Sequence, residues 1–291
     1  MSNWLLDGLK EFFGPNVPRW ACELTPDRVI VVETGPDRRS IRSQAVLELP
    51  SRALTGDLRE ADHGDSDSVK EVVRQALDQA AFSGSEIAVV VPDGVARVTI
   101  LNVEKFPTEP GQQEPFIRWK LKKNMPFDTE TAQLTYKKLG QNGSVDILVA
   151  LSPRGVTRQY EDLLKSIGLH AGIVIPSTIA ALNLLVTEPT DTLFLKASPE
   201  AIATCVFMDG QLRFYRRVVS QSLYDAVHPT IMYYEDKLGG SGIRELITCV
   251  HDSATGEQAA DLAIRLEIPE RSLYLAELGD VFKPALGALQ L

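Results

Sequence analysis

The run Gly239-Gly240-Ser241-Gly242 has the residue types of a loop that wraps a phosphate in backbone N–H groups. Its setting is wrong for that work. It follows a helical pattern and precedes a strand pattern, whereas an anion is held where such a loop leads into a helix N-terminus. It reads as a helix stop with a flexible turn. His63, His170, His228 and His251 are scattered and make no metal-ligand or triad spacing. Cys22, Cys205 and Cys249 are odd in number and far apart; they form neither a metal motif nor a disulfide framework, and point to a reducing compartment. Asp57, Glu60, Asp62, Asp65 and Asp67 crowd one loop, where solvated charge is the default and a weak cation site the sharper alternative. Arg213 and Arg217 share one face of a strand with Phe214 and Arg216 on the other, as surface charge or as a contact for an acidic partner. The P-loop, zinc-protease, nucleophile-elbow and dinucleotide patterns are missing.

Composition narrows the classes further. The 291 residues carry 30 basic and 39 acidic side chains, a formal net charge of −9, which disfavours a general nucleic-acid binder. With 44% hydrophobic residues the chain can bury a sizeable core, and its length suggests about two domains. No run approaches the ~18 apolar residues of a membrane span. The N-terminal stretch 1–14 is not expected to be a signal peptide, because Asp7, Lys10 and Glu11 interrupt any apolar region. Trp4, Leu5, Leu9, Phe12 and Phe13 instead recur at helical spacing. That amphipathic helix either packs on its own domain or docks on a partner or membrane surface.

The elements that would position any site come in a repeated order. Trp20–Leu24, Val29–Val32 and Ser40–Leu49 read as strands. A helix follows, opened by the capping-box pattern at Ser68-Val69-Lys70-Glu71, and then a buried strand over Ile87–Val91. Val95–Leu101 reads as a further strand. Ser152-Pro153 opens a helix that Gly168 ends; Gly172–Pro176 is a strand and Ser177–Val186 a buried helix. The second half begins again with strands at Leu193–Leu195, Ala201–Met208 and Gln211–Val219, the last two joined by the hairpin dipeptide Asp209-Gly210. A helix kinked at or beginning from Pro229 comes next. Leu246–Val250 is a strand, Thr255–Leu266 a helix, Leu273–Leu275 a strand and Leu278–Leu289 a helix. Each half is thus three strands, helix, strand, helix, strand, helix. Between about Val103 and Leu151 the first half carries extra material: a helix near Gln112–Lys123 and a hairpin closed by Gly140-Gln141-Asn142-Gly143.

This double βββαβαβα order resembles the α/β actin-like, or sugar-kinase-like, fold, and the insert resembles that of the FtsA/PilM type. Phe116-Ile117-Arg118-Trp119 followed by Met125-Pro126-Phe127-Asp128 is similar to the "I-R-W-E … I-P-F-D" of the type IV pilus assembly protein PilM family. Tyr160–Leu169, Met208–Arg216 and Tyr233-Tyr234-Glu235 resemble family segments in family order. There are departures. Actin-like ATPases hold phosphates on two glycine-bearing hairpins, commonly D-x-G. The first reads Cys22-Glu23-Leu24-Thr25-Pro26-Asp27, the second Leu195-Lys196-Ala197-Ser198-Pro199-Glu200; both lack the glycine. The adenosine Gly-Gly is replaced by Thr248–Asp252, and the lid subdomain of the second half is missing or cut to one helix.

The resemblance implies a degenerate PilM-like scaffold: not an enzyme, a pseudo-ATPase without cofactor or metal, cytoplasmic, at the inner face of the inner membrane. Its expected partner is the cytoplasmic tail of a PilN-like inner-membrane protein, which in the family lies between the first domain and the insert. A GspL-like secretion component and a working actin-like ATPase are the alternatives. The expected division is an N-terminal segment at 1–19, a first actin-like domain at 20–103 and 152–188, an inserted subdomain at 104–151 and a truncated second domain at 189–291. Arg118, Trp119, Met125, Pro126 and Phe127 are the expected partner-binding residues, with Arg118 anchoring a backbone carbonyl or acidic group. Ile117 and Leu121 are expected in the insert's own core.

Overall fold

The computed structural model describes residues 17–38, 40–50, 54, 56–58, 66–142, 144–186, 188–220, 222–273 and 279–290. The amphipathic stretch around Trp4, Leu9 and Phe13 lies outside them, as do Glu60, Asp62 and Asp65 of the acidic loop.

In the first half, β1 (Trp20–Leu24), β2 (Arg28–Thr34) and β3 (Ile41–Glu48) form an antiparallel meander. The β1 and β2 residues are almost all buried, as their unbroken apolar runs require of strands covered on both faces. Helix α1 (Ser66–Gln79) returns the chain to β4 (Glu86–Val91), parallel to β1. It starts two residues before Ser68, which therefore lies inside the first turn instead of capping it. Then come β5 (Arg97–Val103), α2 (Pro110–Leu121), β6 (Gln133–Asn142) and β7 (Ser144–Ser152). Helix α3 (Arg154–Ser166), β8 (His170–Pro176) and α4 (Ser177–Leu182) complete the half.

The second half runs β9 (Thr192–Ser198), β10 (Ala201–Met208), β11 (Gln211–Val218), α5 (Leu223–Leu238), β12 (Glu245–Val250), α6 (Ser253–Leu266), β13 (Glu270–Ser272) and α7 (Lys283–Ala288). Asp209 and Gly210 both have positive φ, 51° and 72°, the hairpin turn that their types favour. Helix α5 runs through Pro229, whose exposed ring faces outward, and begins earlier, where Ser222 Oγ accepts from the Asp225 N–H at 3.2 Å. The last strand falls at Glu270–Ser272, three residues before its expected place.

The duplication is visible in the sheets. One has the order β3-β2-β1-β4-β8, the other β11-β10-β9-β12-β13, the same path through corresponding strands. A third sheet, β5-β7-β6, belongs to the insert, so Arg97–Val103 pairs with the insert's strands and not with the first sheet. Helix α7 crosses back and packs on α4, β1, β2 and β4 of the first half. Among the described residues between β11 and β12 there is one helix and no further subdomain.

Candidate functional site

The insert's sheet has two faces, and alternation along its strands decides what each does. Ile147, Val149 and Leu151 of β7 point one way and bury Ile117 and Leu121 of α2 in a small core, as expected for those two residues. Leu148 and Ala150 point the other way. Ala150 lies in register between Val98 of β5 and Thr135 of β6, and Leu148 between Ile100 and Lys137. Val98, Thr135, Lys137, Leu148 and Ala150 face a groove of about 310 Å³ whose far wall is β8, lined there by the buried side chains of Ile173, Ile175 and Ile179. Thr157 and Glu161 of α3 form one rim. Both walls end in edge strands: among the described residues β8 is the last strand of the first sheet and β6 the last of the third. The groove is apolar in its side chains and bordered by backbone donors and acceptors with no described strand beside them.

None of the five expected partner-binding residues lines this groove. They sit on the opposite, helix-bearing face of the insert. Arg118 is nearly buried, its side chain 12% exposed, with Nη2 2.5 Å from Glu114 Oε1. It donates from Nη2 to the Ala132 carbonyl at 3.0 Å and from Nη1 to that of Thr129. The carbonyls it holds are the insert's own, and Arg118 is a brace between α2 and the 129–132 turn. Met125 and Phe127 are half-buried against the small core. Pro126 is exposed. Trp119 is 65% exposed, with its ring 6.2 Å from Phe116 and under the Lys120 ammonium at 5.1 Å. Arg213 resolves toward an internal acid too: it pairs with Asp146 of β7 at 2.7 Å and ties the insert to the second half.

The second concavity lies between the halves, where β1, β4, β9 and β12 end. It is narrow, about 40 Å³, and lined by Glu23, Ser177, Lys196, Glu200, Cys249 and His251 among others. The turn after β1 is closed by its own side chains: Thr25 Oγ1 donates to Asp27 Oδ1 at 2.7 Å, and Arg28 pairs with Asp27 at 2.7 Å. Pro26 and Pro199 have no N–H to offer an anion. After β12, His251 pairs with Asp252 at 2.7 Å. Inside, Asp93 accepts from Thr178 N at 2.7 Å and from Thr178 Oγ1 at 2.6 Å, and Lys196 Nζ stands 3.5 Å from its Oδ2. Glu23 Oε1 accepts from Ser177 Oγ at 2.6 Å, while its Oε2 has no partner. Burial pushes the Glu23 carboxyl from 4.5 up to about 7 despite the pull of Lys196. Burial would lower Lys196, but the carboxylates of Asp93, Glu200 and Glu23 outweigh it and hold the ammonium above its usual value. The Cys22 and Cys249 thiols are pushed up to about 12, chiefly by burial, so neither is a nucleophile at neutral pH.

The chain of the PilM–PilN type IV pilus biogenesis complex superposes with a TM-score of 0.74 at 15% identity, over 94% of this chain and 98% of that one. The fold is actin-like. A Bacteroides thetaiotaomicron protein with an actin-like ATPase fold gives 0.56 at 12% identity, covering 91% and 93%. The cytoplasmic domain of EpsL, an inner membrane component of the type II secretion system of Vibrio cholerae, gives 0.52 at 14%, covering 92% and 93%. No protein-family model and no curated protein sequence matches the chain.

Sequence reading missed the groove and the charged pair in the cleft. Lys196, a lysine inside the apolar run Leu193–Ala197, was the legible signal for the pair. Asp93 sits in the short connection between the strand runs Ile87–Val91 and Val95–Leu101, with no pattern of its own to mark it.

Proposed function

We propose that this chain is a non-catalytic, actin-like scaffold of a type IV pilus or related secretion apparatus. It binds the cytoplasmic tail of a PilN-like inner-membrane protein and works peripherally at the inner face of that membrane. The observation that carries the reading is the groove between β8 and β6. An extended peptide laid there finds free strand edges for main-chain hydrogen bonds and apolar side chains for alternate residues, the mode of strand addition. The likeness to the chain of the PilM–PilN complex supports it, and the narrow cleft with prolines at both turns supports a role without nucleotide.

Ala150 tests the site. It is half-buried at the middle of the groove wall, so Ala150→Lys places a charge where an apolar tail would lie. A fluorescence anisotropy titration with a synthetic N-terminal tail of the PilN-like protein from the same organism should show binding at least about tenfold weaker, roughly 1.4 kcal/mol, with unchanged melting. Unchanged affinity removes the tail from the groove. Calorimetry with Mg-ATP should show no heat for the wild type; a micromolar dissociation constant would overturn the non-catalytic reading.

A further inference from the structure

The cleft between the halves is charged in an unusual way. Most ionic groups in its wall are matched within their own half: Asp27 by Arg28, His251 by Asp252, Asp280 by Lys283. The remainder are three carboxylates, Glu23, Asp93 and Glu200, around one ammonium, Lys196. Lys196 and Asp93 have side chains only 6% and 3% exposed. Asp93 stands just behind the cavity wall, and so does Arg217 of β11, whose guanidinium approaches Gly94 and whose buried Nε has no hydrogen-bond partner; neither lines the cavity itself. Two carboxylate oxygens, Glu23 Oε2 and Glu200 Oε2, are buried without a hydrogen-bond partner. Desolvated carboxylates are costly unless a cation faces them. The cation here comes from the other half: Asp93 follows β4, Glu23 lies near the end of β1, just before Leu24, and Lys196 belongs to β9.

We infer that the interdomain cleft is a small-cation site, selective for a primary ammonium over any phosphate, that the chain fills with its own Lys196 and so holds its halves together. Asp93 joins the pair to the rest of the first half, because its carboxylate also caps the start of α4 through Thr178. The site is self-occupied, and the free space left beside Lys196 is small, about 40 Å³. Phosphate anions entering the same space would meet the orphan oxygens of Glu23 and Glu200.

Removing the tethered amine should therefore create a receptor for a free one. Lys196→Ala in the full chain should melt lower than wild type. Propylammonium chloride at tens of millimolar should raise the melting temperature of Lys196→Ala by about 3 °C more than equal sodium chloride, and leave the wild type unmoved. Inorganic pyrophosphate should not rescue it. No specific rescue by propylammonium, or better rescue by pyrophosphate, overturns the inference. If Lys196→Ala does not fold, the decision passes to Lys196→Met and the double variant Lys196→Met/Asp93→Asn. The double should be more stable than Lys196→Met, because the uncompensated carboxylate is gone; equal or lower stability overturns it.

Discussion

Glu23 is the residue whose chemistry most directly reports on the cleft. Its carboxyl is held at about 7 mainly because burial penalises the charged form. The folded state therefore keeps a proton that the unfolded chain has released between pH 4.5 and about 7, and stability contributed by Glu23 falls as pH rises through that window. The full shift corresponds to about 3 kcal/mol at most. Glu23→Gln keeps an acceptor for Ser177 and cannot ionise. Urea unfolding at pH 5 and pH 8 should show the variant gaining on the wild type at the higher pH by roughly 1–3 kcal/mol. A gap between the two proteins that is constant with pH would show that Glu23 does not titrate there. Arg118 carries the opposite lesson. Its motif neighbours were legible, and the need for an anchored carbonyl was real. But type and spacing cannot say whose carbonyl is held, and here Thr129 and Ala132 supply it from within eleven and fourteen residues.

Among elements, the strands were the most legible because continuous apolar runs such as Ile87–Val91 and hairpin dipeptides such as Asp209-Gly210 carry their own physics. Starts and stops were less so. Nothing local distinguishes Ser66 from Ser68 as the first turn of α1, and the strand at Glu270–Ser272 has no buried side chain to mark it. The crossing of α7 onto α4 was invisible, since it depends on a close backbone approach. Gly287 has the carbonyl oxygen of Ala180 only 2.0 Å from where a Cβ would stand, and its own carbonyl accepts from Asn183 Nδ2 at 3.0 Å. Because that neighbour is backbone, it cannot swing aside as a side-chain tip would. Gly287→Ala should lower stability by about 2 kcal/mol or more, read as an earlier thermal midpoint. An unchanged midpoint would mean that the two helices can slide apart without loss, and that α7 is not the clasp between the second half of the chain and the first.

At the scale of the molecule, the duplicated order of elements was readable in the sequence and reappears as two sheets of equal topology. What the order could not convey is where the concavities fall. The groove exists because the insert's sheet, with β6 at its edge, stands beside the edge strand β8, a consequence of tertiary placement that no segment encodes alone. Among the described residues no helix is long and apolar enough to cross a membrane. The most direct measurement is amide hydrogen exchange on the full chain, with and without a synthetic tail of the PilN-like protein. Binding should slow exchange across β8, residues 170–176, and β6, residues 133–138, while 110–127 keeps its free-state rates. Protection confined to 110–127, or to the turns at 25–28 and 198–201 around the cleft, would contradict tail binding in the groove.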